Sequence, residues 1–172
     1  MGRFVFSLQV ATLLFFKKQA MAEAICRRKL VLRPTSSFYH RWLGRTLYQQ
    51  RRLIEAIQEQ RLAIARYKIT YSADRIDLIR MLLEAKQYQE VIVECQRLID
   101  PQFHQVSGLF KAMHLYAAYE NMYKAYLEMG EYLKAKEAIS QMLLFHKGKA
   151  RQQIAQKIEE IEKLIQTEGQ SN

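Results

Sequence analysis

The feature that most constrains this 172-residue chain is that it resembles itself. Four segments align: Phe15–Pro34 with M-A-E-A-I, Leu47–Tyr67 with L-I-E-A-I, Leu82–Pro101 with Y-Q-E-V-I, and Tyr126–Phe145 with Y-L-K-A-K. Anchored on Ala24, Ala56, Val91 and Ala135, they recur at intervals of 32, 35 and 44 residues. A repeat of this length is one supersecondary unit that buries its apolar face only by stacking on its neighbours. The unit reads as helical. Only six Gly and two Pro interrupt the chain, too few to punctuate it into short strands, and the stretches between them are rich in strong helix formers.

Placing each anchor at repeat position 20 assigns the other positions. Position 8 holds Thr12, Gly44, Ile79 and Tyr123; position 11 holds Phe15, Leu47, Leu82 and Tyr126; position 27 holds Val31, Ala63, Leu98 and Met142. These residues, and the Leu43-Gly44 pair above all, resemble the tetratricopeptide repeat, a helix–turn–helix unit of 34 residues. Position 8 is Gly only once, position 4 is never Trp, and closing prolines appear only at Pro34 and Pro101, so the match is degenerate. The resemblance implies an all-α, right-handed α-solenoid of about four repeats over residues 5–149. The longest interval implies about ten extra residues, Phe103–Ala112, lengthening the fourth A helix to roughly Ser107–Met129 with Ser107 as N-cap. In residues 150–166, Ile154, Ile158, Ile161 and Ile165 fall on one helical face, suited to a capping helix, and 167–172 read as a flexible tail.

In that family the A helices line a groove. The residues placed there are Phe6, Gln9, Leu13, Phe16 and Lys17 on the first helix; Phe38, Arg41, Arg45, Tyr48 and Gln49 on the second; Ala73, Ile76, Arg80, Leu83 and Glu84 on the third; and Ala117, Glu120, Lys124, Leu127 and Glu128 on the fourth, with Arg41, Arg45, Arg80 and Lys124 as its cations and Phe38 and Tyr48 beside them. The resemblance thus implies a basic, aromatic-edged track for an acidic segment or a carboxylate. Solvated cations on an open face are the plain alternative.

The charge is uneven. Residues 1–68 carry fourteen basic against three acidic residues, net +11, and residues 69–172 carry thirteen against fourteen, net −1. Such a half points to a polyanionic neighbour or simply to solubility. The apolar run Phe4–Phe16 is short for a spanning helix. Ala20-Met21-Ala22 resembles a signal cleavage site, but Lys17 and Lys18 directly after the run are unusual for one, and a packed first helix is the expected role. Position 6 is Phe, against a myristoylation motif. An intracellular, cytoplasmic setting is expected ahead of an organellar or secreted one.

No phosphate-binding, dinucleotide, metalloprotease or nucleophile-elbow motif occurs. Cys26 and Cys95 form no C-x-x-C pair, and His40, His104, His114 and His146 are scattered. The sequence therefore predicts no catalytic residue, metal, cofactor or small-molecule substrate. Three functional readings stay open: an adaptor binding a protein or peptide, alone or in a larger assembly; an RNA-contacting part of a ribonucleoprotein; and an adaptor held at a membrane by its apolar N-terminal segment.

Overall fold

In the computed structural model, residues 2–65, 72–100, 102 and 108–171 are described, apart from the side chains of 72, 108, 109 and 169–171. Among the described residues 86% are helical and none is in a strand. The chain divides into two compact units, Met1–Thr70 and Tyr71–Asn172. The first contains α1 (Arg3–Phe15), α2 (Gln19–Leu32), α3 (Ser37–Gln49) and α4 (Leu53–Ile64). The second contains α5 (Ser72–Glu84), α6 (Tyr88–Ile99), α7 (Gly108–Glu128), α8 (Tyr132–Met142), a 3₁₀ turn at Leu143–Phe145, and α9 (Gly148–Ser171). Helices adjacent in sequence pack together within each unit, and α1 also touches α3 as α5 touches α7.

One turn, built four times, sets this arrangement. Lys17, Arg51, Lys86 and Gly130 all have positive φ, at 56°, 64°, 57° and 74°. The N–H of each donates to the carbonyl three residues back, on Leu14, Tyr48, Leu83 and Leu127, at 3.0–3.1 Å. The next residue, Lys18, Arg52, Gln87 or Glu131, donates five residues back, to Leu13, Leu47, Leu82 or Tyr126, at 2.8–3.1 Å. This is the Schellman C-cap, which satisfies carbonyls that a helix end otherwise leaves orphaned. The same residue is the N-cap of the following helix, and its carbonyl accepts from the N–H of Ala22, Ala56, Val91 or Ala135 at 2.9–3.1 Å. No side chain caps these starts. The shared residue replaces the usual Ser or Asp cap.

The turns correct the register of the first segment. They lie at intervals of 34, 35 and 44 residues, so the residue equivalent to Ala56 is Ala22 and not Ala24. Ala22 is fully buried and Ala24 is exposed. Likewise Val10 and Leu13, not Thr12 and Phe15, match Gly44 and Leu47; Val10 is buried, Leu13 half-buried, and Phe15 80% exposed. Two residues are 200° of helical rotation, which turns an inside face outward. The other three registers agree with the sequence reading. Gly44 marks close contact of α3 with α4: a Cβ there would lie 3.2 Å from the Ala56 carbonyl oxygen and 3.3 Å from the Gln60 backbone nitrogen.

The long interval is taken up by α7, which has 21 residues against 13 in α1, α3 and α5. The expected N-cap Ser107 lies outside the described residues. On α9, Ile154 and Ile161 are buried with Ile139 and Met142, and Ile158 and Ile165 pack beside them. That seals the apolar face of α8, as the isoleucine spacing predicts. The helix also continues through residues 167–171, read from sequence as a tail. Tyr116, Tyr119 and Tyr123 pack against the same cluster, which places the tyrosine-rich stretch of α7 inside its unit.

Candidate functional site

Phe38, Arg41, Arg45 and Tyr48 follow one another on α3 at spacings of 3, 4 and 3, so they share one face. All four are half-buried, and α3 carries no acidic residue. Aromatic rings shape this face. The Phe38 ring lies 5.7 Å from Phe6 and 5.3 Å from Tyr39, with the Arg3 guanidinium 5.5 Å from its centroid. The Arg45 guanidinium lies 5.5 Å from the Trp42 ring. Such stacking holds a guanidinium in place while leaving its edge able to donate.

Arg80 on α5 and Lys124 on α7 belong to the second unit, and each meets a carboxylate one turn back on its own helix. Arg80 donates to Asp77 at 2.5 Å and Lys124 to Glu120 at 2.8 Å. Lys124 also lines an open cleft of about 440 Å³ between α7 and α9, with Tyr116, Tyr123, His146 and Lys157. Burial raises the phenols of Tyr116 and Tyr123, and Glu120 and Glu160 respectively add to it. On the first helix the placement differs from the sequence reading. Phe6 is buried, 4.9 Å from the Tyr39 ring, and serves the core rather than a groove.

The three glutamates of the first unit are occupied inside it. Glu23 accepts from Arg27, Gln50 and Arg52 at 2.8–2.9 Å. Burial pushes its carboxyl up, but those hydrogen bonds outweigh it and hold Glu23 below its ordinary value. Arg52 donates to both oxygens of Glu55 from one edge of its guanidinium, Nε at 2.7 Å and Nη2 at 2.6 Å, and that pairing holds the Glu55 carboxyl down. Glu59 lies 2.6 Å from Nδ1 of His40, whose Nε2 faces the Pro34 carbonyl at 2.9 Å.

His40–Glu59 has a counterpart in the second unit, where Arg75 pairs with Glu94, which also accepts from Arg97 at 2.7 Å. Both pairs join residues 19 apart, at the same two places of the repeat. The sequence reading passed over them, although the shared spacing of a basic side chain and a glutamate in two registers was the signal. Among the described residues no three His, Cys, Asp or Glu side chains converge as a metal site would require. No protein-family model matches the chain, and no curated protein matches it either.

Proposed function

We propose that the chain is a tetratricopeptide-type helical repeat module that acts as a protein-binding adaptor and not as a catalyst. Four identical interhelix turns, two of their three intervals being 34 and 35 residues, support the repeat assignment. The small residue where α3 meets α4 and the terminal helix sealing α8 support it further.

The observation that carries the binding reading is the α3 face. It offers two arginines between Phe38 and Tyr48 on a helix with no acid, in a unit whose glutamates are already engaged. Paired guanidiniums at that spacing suit an acidic peptide segment whose apolar side chains lie against the rings.

The test is affinity capture with full-length chain and an Arg41→Glu/Arg45→Glu variant, washed at about 0.15 and about 0.5 M salt, where screening lengths are short. Protein and RNA in the eluate are measured separately. The adaptor reading expects a protein partner that survives the stronger wash and is lost from the variant. Recovery of RNA alone, falling steeply with salt, would refute it, because that slope is the mark of phosphate contacts.

A further inference from the structure

Helix α1 carries two apolar stripes, and the fold uses one. Phe6, Val10 and Leu14 recur every fourth residue and are buried. On the opposite face Phe4, Leu8, Ala11 and Phe15 recur at spacings of 4, 3 and 4, and all four are exposed. Phe4 and Phe15 are each 80% accessible, Leu8 59% and the adjacent Phe16 64%. Scattered exposed hydrophobics are ordinary, but a continuous stripe marks an interaction surface.

Cations bracket this stripe. Arg3 stands at its N-terminal end and Lys17 and Lys18 at its C-terminal end. The tight turn at Lys17 returns α2 antiparallel, so its exposed Val31 and Leu32 lie at the Arg3 end, with Arg28 and Arg33 nearby in sequence. No acid occurs in residues 1–22. Among the described residues Arg3, Lys17, Lys18, Arg28 and Arg33 form no ion pair, while Glu23, Glu55 and Glu59 are taken by other partners.

We propose that the outward face of α1 seats the protein on a bilayer surface rich in anionic lipid, with the phenyl rings at the headgroup–acyl boundary and the cations among the lipid phosphates. Charge complementarity selects this occupant. A second copy docked through the same stripe would bring Arg3, Lys17 and Lys18 against their like in either orientation. Nucleic acid would find no donors along the apolar stretch between the two cationic ends. Thirteen residues rise about 20 Å, against a hydrocarbon core of about 30 Å, so α1 lies on the membrane and does not cross it. An apolar face combined with basic ends is what binding at an anionic interface requires. This surface differs from the α3 face, and the inference stands or falls independently of the partner bound there.

The experiment is flotation of the full-length chain with phosphatidylcholine vesicles, with and without one-third phosphatidylglycerol, alongside light scattering for oligomeric state. The wild type is expected to float with the anionic vesicles and to stay behind with the neutral ones. Leu8→Glu/Phe15→Glu alters exposed positions only, and circular dichroism checks that it remains folded; it should lower partitioning at least tenfold. Lys17→Ala/Lys18→Ala should lower it about fivefold per lysine. Absence of flotation, equal flotation on neutral vesicles, or variants that float like wild type would overturn the proposal. So would a dimer that Leu8→Glu/Phe15→Glu dissociates without any vesicle binding.

Discussion

If one left-handed residue closes each helix pair, exchanging lysine and glycine at that residue should move stability in a direction fixed by backbone geometry alone. Lys86 is exposed with φ 57°, and Gly130 occupies the equivalent place with φ 74°. An L-residue in the left-handed region costs about 1–2 kcal/mol. Glycine removes that strain but brings about 0.5–1 kcal/mol of extra unfolded-state entropy. Lys86→Gly should therefore stabilise by roughly 0.5–1 kcal/mol, and Gly130→Ala should destabilise by a similar amount. Nothing lies within 4 Å of a Cβ built on Gly130, so its loss would be conformational and not steric. Lys157→Gly, at an exposed site within α9, makes the same chemical change where φ is helical and should cost about 1 kcal/mol. Urea titration followed by circular dichroism reads all three, with thermal shifts of roughly 2–4 °C per kcal/mol for a chain of this size. Equal signs for Lys86→Gly and Lys157→Gly, or a Gly130→Ala variant as stable as wild type, would refute the shared-turn reasoning.

At the α3–α4 contact, Gly44→Ala should be near neutral, since about 1 kcal/mol of helix propensity offsets the tight approach to the Ala56 oxygen, whereas Gly44→Val should cost about 1–3 kcal/mol by the same urea assay. Glu94→Ala should lose about 3–5 kcal/mol by removing the carboxylate that pairs with the buried Arg75 guanidinium, and Arg75→Leu/Glu94→Leu should recover most of it; equal losses in both would refute the pairing. Burial pushes the Cys26 thiol from its ordinary 9.0 up to about 12, against a hydrogen bond with Thr46, and burial pushes Cys95 up as well. A thiol reagent at pH 8 should accordingly label neither until the chain is unfolded. Because the folded state holds the Cys26 proton more tightly than the unfolded state, its contribution is intact below about pH 9 and is lost between there and about pH 12, and a Cys26→Ala variant should show a shallower alkaline fall in stability.

Helix content, the lengthened α7 and the inward isoleucines of α9 were legible because each rests on a periodicity longer than one turn. The first register was not. The string M-A-E-A-I matches L-I-E-A-I letter for letter at Glu-Ala-Ile, and that match puts Ala24 opposite Ala56. Alanine at both 22 and 24 hides the slip, and an apolar run with phenylalanines on both faces gives no contrast to reveal it. The turns themselves were also hidden. A left-handed C-cap is normally signalled by glycine, and here lysine or arginine takes the position in three turns out of four. What holds such a residue left-handed is the pair of main-chain hydrogen bonds it completes, and these are invisible in side-chain identity. On α3, by contrast, Phe38, Arg41, Arg45 and Tyr48 follow one another at helical spacing, and the second register is anchored by a close contact at Gly44.

The charge asymmetry takes on a different meaning once the ion pairs are known. Three acids against fourteen bases would count for little if the acids were spread over the surface, screening cations by proximity. Instead Glu23 of α2 binds Arg52 at the start of α4, Glu55 of α4 binds the same arginine and lies 3.8 Å from Arg27 of α2, and Glu59 of α4 meets His40 of α3. Two faces of the unit set cations beside apolar groups of different kinds: the aromatic-edged face of α3 and the phenylalanine stripe of α1. A cation beside rings in a helix face recognises a directed carboxylate, whereas cations bracketing exposed aliphatic and phenyl groups recognise an extended anionic surface. Because each pair of substitutions alters one face only, Arg41→Glu/Arg45→Glu and Leu8→Glu/Phe15→Glu should fail in different assays. A chain in which either variant abolished both activities would have one binding surface and not two.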